Sequence, residues 1–203
     1  MKKFSIILAV ILATIFTTSQ VFAQNSKSNQ QNISRLDVEL DPLAYLLKGY
    51  SVHLGLNKGI SRWNLGFVGF EYPEDYNDNT GITARTNGIS LKWDYINPKL
   101  KGFYFGPQSD LSQLKLTSID DNTQSKTLNQ ATLGLRAGYR LMFGSKKGDM
   151  KNMFKEPAQK GFYLNIWAAY IFNPTAEDVN LGDEVYKIPS QVFFPTVHLG
   201  WKF

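Results

Sequence analysis

The chain has 203 residues, with 22 lysines and arginines against 17 aspartates and glutamates, and it contains no cysteine. An apolar content of 43% and a charged content of only 19% exclude a disordered or nucleic-acid-tail composition. The lack of cysteine excludes thiolate metal sites and thiol nucleophiles, and the length favours one domain. Aromatic residues, at 14%, are the component in excess.

The N-terminus has the pattern of an export signal. Lys2 and Lys3 precede an apolar stretch, and Val21-Phe22-Ala23 is a small-residue cleavage pattern before Gln24. We therefore predict a signal peptide over residues 1–23, cleaved between Ala23 and Gln24. Its ~13 apolar residues fall short of the ~20 that a membrane-spanning helix needs. The polar residues 24–32 are predicted to be a flexible periplasmic leader, and residues 33–203 the folded domain.

Beyond the leader, apolar and polar residues alternate with period two, which predicts β-strands. In chain order the alternation gives eight strands: residues 35–41, 50–57, 62–67, 88–95, 102–117, 130–143, 162–172 and 193–203. Two of them are irregular. Residues 41–48 fit a continuation of the first strand, a loop or a short interfacial helix, and the fifth strand changes phase near Leu114.

Such alternation is expected both of a soluble lipocalin-like barrel and of a membrane barrel, so the connections matter. The short connections 58–61 and 97–100 alternate with the longer polar segments 73–82, 118–127 and 173–190. Outer-membrane barrels have this rhythm of short periplasmic turns and long extracellular loops. The connection over residues 144–159 breaks it, being long where a short turn is expected.

Large aromatic residues of the apolar faces fall at the strand ends that this orientation places toward the periplasm. Amphipathic rings favour a membrane–water boundary, so we predict an aromatic girdle on that rim. Its members are Trp63, Trp93, Tyr95, Phe103, Tyr139, Phe143, Phe162, Trp201 and Phe203.

The opposite faces carry charged and histidine side chains, which a barrel lumen would hold. Charges of both signs can pair across neighbouring strands, and eight strands leave an interior that side chains fill. We therefore predict a plugged polar lumen and no open pore. The predicted lumenal network consists of Arg35, Asp37, Glu39, His53, Arg62, Lys92, Asp94, Asp110, Arg136, Arg140, His198 and Lys202.

These features together, with a last strand ending Leu199-Gly-Trp201-Lys-Phe203, resemble the small eight-stranded outer-membrane β-barrel proteins of the OmpA/OmpX type, a porin-like family of Gram-negative bacteria. The resemblance covers residues 33–203. It implies an all-β, antiparallel up-and-down transmembrane barrel in the outer membrane, in contact with lipid and lipopolysaccharide. It also implies that the C-terminal Phe203 is read by the barrel-assembly machinery.

Some barrels of this size modify lipid A, so catalysis needs to be weighed. Ser51 and His53 share a strand face, but residues two apart on a strand are ~7 Å apart and a hydrogen bond needs ~3 Å. Pairing would need a bend, and we favour a polar network over a catalytic site. The acids Glu71, Glu74, Asp75 and Asp78 are spaced too irregularly for a calcium loop.

The sequence thus predicts a non-enzymatic outer-membrane barrel with a structural or surface-interaction role. No cofactor, metal or nucleic-acid partner is expected, and no particular extracellular ligand is predicted. The alternatives are a lipid A-modifying barrel enzyme, a small-solute channel and a soluble periplasmic lipocalin-like binder.

Overall fold

The computed structural model describes residues 34–73, 79–121, 123–143 and 160–203. The signal peptide, the leader and the connection 144–159 lie outside these residues, as do Glu74, Asp75 and Asp78. The described strands are β1 (Ser34–Leu40), β2 (Tyr50–Lys58), β3 (Ser61–Glu71), β4 (Ile82–Tyr95), β5 (Phe103–Ser118), β6 (Ser125–Met142), β7 (Gly161–Phe172), β8 (Val179–Leu181), β9 (Glu184–Tyr186) and β10 (Gln191–Lys202). One α-helix, α1 (Pro42–Leu46), follows β1, and a 3₁₀ helix spans Pro98–Leu100.

Eight strands form a closed antiparallel barrel in the order β1-β10-β7-β6-β5-β4-β3-β2. Each barrel strand pairs with the next barrel strand along the chain, so that β7 pairs with β10, and β10 closes the ring against β1. The predicted eight-stranded, all-β, antiparallel barrel is confirmed. Closure leaves the barrel without a free sheet edge over its paired length, which removes a template for edge-to-edge aggregation.

The connection between β1 and β2 is helical, one of the three forms that the sequence allowed. Asp41 caps α1, because its carboxylate accepts a hydrogen bond from the backbone N–H of Leu43 at 2.9 Å. Pro42 stands at the first helical position, where its missing N–H costs nothing. β1 pairs with β10 only over Leu199–Lys202, and α1 packs against β2, β3 and β10.

The predicted loop 173–190 contains two short strands that the strand prediction missed. β8 and β9 form a hairpin of their own, separate from the barrel sheet, around Gly182, whose φ is +62°. The local signal was present in the sequence: Gly182-Asp183 is a hairpin-turn dipeptide flanked by alternating Val179, Leu181 and Val185.

The two faces of the barrel strands differ in polarity, with polar side chains inside and apolar ones outside. Inward residues such as Arg62, Asp94 and Arg140 are fully buried, whereas outward Leu54, Phe103 and Leu135 are 50%, 62% and 71% exposed. A water-soluble barrel has the reverse arrangement. Among the described residues, no helix has the length and apolar character required to cross a membrane.

This polarity reverses where β4, β5 and β6 extend furthest from the β2–β3 turn. A row of outward, exposed polar residues, Asn87, Gln113 and Asn129, are register partners across these three strands. Beyond that row the outward faces are polar, and the inward faces become apolar. The inward residues pack with the β8–β9 hairpin in one cluster: Ile82, Ala84, Leu114, Leu116, Val179, Leu181 and Tyr186.

The reversal explains the apparent phase change near Leu114. Pairing of β5 with β4 and with β6 runs through this region in one register. Leu114 and Leu116 therefore stay on the same inward face as Tyr104 and Gln108. The predicted slip in the strand is wrong: it is the environment inside the barrel that changes from polar to apolar, and the strand itself is regular.

Candidate functional site

The candidate site is the barrel interior, whose half nearer the β2–β3 turn is filled by a buried ion cluster. Arg62 lies at its centre. Its guanidinium donates to the Asp37 carboxylate through two nitrogens, to Glu39 at 2.8 Å and to Asp94 at 3.2 Å. All four side chains are at most 1% exposed. One arginine thus joins carboxylates from β1 and β4 through β3.

Two more arginines extend the cluster. The Arg136 guanidinium donates through two nitrogens to the Asp94 carboxylate, with nitrogen–oxygen distances of 2.6–2.9 Å. Arg140 lies 3.5 Å from Glu39 and 3.7 Å from Asp94. Three guanidinium groups therefore face three carboxylates, a balance that keeps the buried charge compensated.

Neutral side chains complete the coordination of Glu39. The Tyr163 hydroxyl donates to its carboxylate at 2.8 Å and the Asn165 amide at 3.1 Å, while a His198 ring nitrogen lies 3.1 Å away. Glycine makes room for such large inward groups. A Cβ on Gly200 would overlap the Tyr163 ring, so a residue without a side chain is required opposite it.

All twelve predicted lumenal residues project from inward faces, and ten of them are at most 4% exposed. The two exceptions, both half-buried, are Arg35 and Asp110. Arg35 reaches the backbone carbonyl of Phe203 at 3.4 Å, at the end of the barrel. Asp110 lies higher, where it accepts hydrogen bonds from Gln108 and Thr132.

The expectation that Ser51 and His53 lie too far apart to pair is wrong. His53 Nε2 lies 3.0 Å from Ser51 Oγ, and His53 Nδ1 lies 3.2 Å from Asn64 Oδ1. The ~7 Å spacing applies to the backbone positions of residues two apart. An imidazole leaning along the strand covers most of that distance, so no bend is needed.

The two histidines belong to two copies of a four-residue sequence motif. Val52-His-Leu-Gly55 recurs as Val197-His-Leu-Gly200, preceded by Ser51 in β2 and by Thr196 in β10. The barrel brings the two copies together: the imidazole rings of His53 and His198 stack with centroids 4.8 Å apart. The residues that precede the two copies differ in their contacts: Thr196 donates to Asp41 at 2.9 Å, whereas Ser51 contacts His53. The repeat was the sequence signal for this pair.

Above the ion cluster the interior opens into a cavity of about 400 Å³. Its floor is polar, with both histidines and Lys92, and its wall at the end farther from the β2–β3 turn is apolar, with Phe70, Leu114 and Phe194. The half of the barrel nearer the β2–β3 turn, which we call the inner half, is thus filled by side chains, as predicted for the whole lumen. The half farther from that turn, the outer half, holds a chamber of the size typical of small-molecule sites.

The outward aromatic residues that the sequence analysis names as a girdle lie near the end of the barrel that carries the β2–β3 turn. Register and ring contacts join them around the barrel: Trp63 pairs with Trp93 and Phe162 with Trp201, and the Phe103 and Tyr139 rings are 4.7 Å apart. A second outward set lies toward the other end and was not predicted as a girdle. It includes Tyr45, Tyr50, Tyr170, Phe172 and Phe193.

In the outer connections, the carboxylate of Asp121 accepts hydrogen bonds from the side chain and backbone of Thr123 and from Gln124. These bonds hold the pKa of Asp121 below its usual value. Among the described residues there is no group of three or more acidic, histidine or cysteine side chains that could hold a metal ion.

Comparison with known proteins identifies no relative of the chain. No family model, no curated protein and no solved structure matches the chain. What the barrel does is therefore argued from its own geometry.

Proposed function

We propose that the protein is a non-enzymatic, integral outer-membrane β-barrel with a structural or surface-interaction role. The observation that carries this proposal is the reversal of polarity at Asn87, Gln113 and Asn129. Below that row apolar side chains face outward, as lipid requires, and above it they face inward, as water requires. A single boundary between two solvents accounts for both halves.

The height of the outward apolar belt supports the same proposal. Phe162 and Tyr170 on β7 are eight residues apart, as are Phe193 and Trp201 on β10. Eight steps measure ~27 Å along a strand, or ~20 Å across a bilayer when the strand tilts by ~40°. That distance is close to the ~25 Å apolar band of outer-membrane barrels, whose aromatic girdles lie at both interfaces.

Within this proposal the termini and loops have defined partners. The signal peptide exports the chain, Phe203 is recognised by the barrel-assembly machinery, and the apolar belt contacts lipid and lipopolysaccharide. The outer connections, with the β8–β9 hairpin, extend from the cell. The ion cluster of Arg62 and its partners fills the inner half of the lumen, which argues for a closed barrel over a small-solute channel.

Fractionation tests the location. We expect the protein in the outer-membrane fraction, where a folded barrel migrates faster on a gel when unheated than when boiled. Recovery from the soluble periplasm without detergent, or migration that heating leaves unchanged, would overturn the proposal in favour of a soluble lipocalin-like binder.

One contact favours a second candidate function, hydrolysis of an acyl ester. Ser51, His53 and Asn64 are hydrogen-bonded in the order of nucleophile, base and orienting group, and Ser51 and His53 line the cavity. Ser51 Oγ would attack the ester carbonyl carbon while its proton passes to His53 Nε2, and the C–O bond would then break as the alcohol leaves with that proton. Water, deprotonated by His53, would hydrolyse the acyl–Ser51 ester and release the acid. We rank this second because its orienting group, the Asn64 amide, carries no charge to stabilise a protonated His53.

The variants Ser51→Ala and His53→Ala discriminate between the two candidates. On the first proposal, lipid A and phospholipid mass spectra of cells carrying either variant match those of cells carrying the wild type. A lipid species that accumulates in both variants, with folded barrel present at normal levels, would instead support the hydrolase.

A further inference from the structure

We propose that the cavity in the outer half of the barrel binds a small amphipathic carboxylate, with Lys92 as the counter-charge of its head. The cavity lies between the ion cluster and the apolar cluster under the β8–β9 hairpin. Its lining thus changes from charged and polar to apolar within one chamber. A ligand that matches it has one anionic end and one apolar end.

Lys92 is the residue whose buried charge favours an anionic ligand in the cavity. It is 4% exposed and lines the cavity, yet its ammonium pairs with no carboxylate among the described residues. The ammonium contacts the ring of Trp167, whose centroid lies 4.6 Å away. Arg62 and Arg136, in contrast, are neutralised by carboxylates at hydrogen-bonding distance. A buried cation without such a partner is costly, and an anion beside it removes the cost.

The acidic residues of the cavity are already occupied. Asp110 accepts from Gln108 Nε2 at 3.1 Å and from Thr132 at 3.0 Å, and Asp41 accepts from Thr196 and from the backbone of Leu43. Among the described residues that line the cavity, the Lys92 ammonium is therefore the charged group available to a ligand. With one ammonium available and Asp110 nearby, a singly charged carboxylate is a better match than a dianionic phosphate.

Three uncharged side chains of the lining have unused polar atoms. Ser90 Oγ, Gln108 Oε1 and Gln130 Nε2 are buried without a hydrogen-bond partner among the described residues, although buried polar atoms are normally paired. All three belong to the same chamber as Lys92. They supply the further polar contacts that a ligand head uses for orientation.

The opposite part of the lining has the chemistry of an apolar pocket. Phe70, Leu114, Ile171, Ile188, Val192 and Phe194 line it. A volume of about 400 Å³ accommodates a compact aromatic or short-chain tail. The lining therefore fits an aryl or medium-chain carboxylate.

Three matched probes test the inference by calorimetry on the folded protein in nonionic detergent: 4-phenylbutanoate, 4-phenylbutanol and 4-phenylbutylamine. They share one apolar body and differ in the charge of the head. We expect the carboxylate to bind roughly tenfold or more tightly than the alcohol, since a charge-assisted hydrogen bond contributes that factor. The amine should bind most weakly. Equal affinity for all three, or no saturable binding of the carboxylate, overturns the inference.

Lys92→Met then removes the charge and nearly preserves the shape of the side chain. In this variant the carboxylate should lose its advantage over the alcohol. Lys115→Met, which removes the same charge from an exposed position on the outward face of β5, is the matched control and should keep the preference. An unchanged preference in folded Lys92→Met would reject Lys92 as the counter-charge. If that variant does not fold, the ranking of the three probes on the wild type decides.

Discussion

Arg62 illustrates how individual residues hold this barrel together. A buried ion is stable only where its partners offset the loss of hydration, and Arg62 contacts carboxylates from two different strands. Alternation along β3 placed Arg62 on the face opposite the apolar residues, and the rhythm of the connections indicated that this face is the inward one. Which carboxylates it contacts, those of Asp37, Glu39 and Asp94, depends on strand register and on barrel closure. The alternation of apolar and polar residues carries no information about either.

Replacing Arg62 with methionine should lower the free energy of unfolding by about 3–5 kcal/mol, because three buried carboxylates lose their common counter-charge. Urea unfolding of the folded protein in lipid vesicles measures the change. Arg85→Met is the matched control: Arg85 is exposed on the outward face of β4, so its loss should change stability by less than about 0.5 kcal/mol. Equal effects of the two substitutions would contradict the role assigned to the cluster.

At the level of secondary-structure elements, β4, β5 and β6 are each divided into two parts that face different surroundings. Leu114 belongs to the part where apolar residues face inward, and Leu133 to the part where they face outward. Period-two alternation predicts such strands well, since successive side chains always point to opposite faces. It does not say which face is inside, and it gives a false slip where the surroundings change.

Ile166 tests the outward belt, because it lies midway between Phe162 and Tyr170 and is 49% exposed. On the outside of a soluble protein, Ile166→Arg would be tolerated. In a bilayer we expect it to cost about 2–4 kcal/mol, the value for arginine near the midplane. Gln113→Arg, on the outward polar row, should cost less than about 1 kcal/mol. Vesicle unfolding compares the two variants, and equal costs would argue against a lipid-facing belt.

For the molecule as a whole, the closing seam between β1 and β10 is the decisive contact. The first and last strands of the barrel meet there, with Val38 the register partner of Trp201 and the Phe203 backbone N–H donating to the Leu36 carbonyl at 2.9 Å. The seam brings Glu39 beside His198, and α1 continues where β1 ends. Without closure neither the ion cluster nor the cavity would exist.

Because the chain has no native cysteine, a disulfide can report this seam directly. Val38→Cys combined with Trp201→Cys should cross-link under mild oxidation, since partners in an antiparallel ladder have Cα atoms ~5.5 Å apart, within disulfide range. The cross-linked product migrates differently on a denaturing gel before and after reduction. Val38→Cys with Phe172→Cys, which are not paired, should stay unlinked. A failure of the first pair in folded protein would contradict the register.

Strand existence, the number of barrel strands and the side of each strand that carries the charged residues followed from the sequence alone, because each depends on the two-residue period of a strand. The rhythm of short and long connections then indicated that this charged side faces inward. The tertiary structure decided the ion partners, the Ser51–His53 contact, the stacked histidines, the helical form of residues 42–46 and the chamber beside Lys92. The ion partners, the stacked histidines and the chamber depend on strand register and on barrel closure, which brings together residues as distant in the chain as Glu39 and His198, 159 positions apart. The Ser51–His53 contact depends on how the imidazole leans along its own strand, and the helix depends on its cap and on its packing against β2, β3 and β10. Period-two alternation encodes none of these contacts.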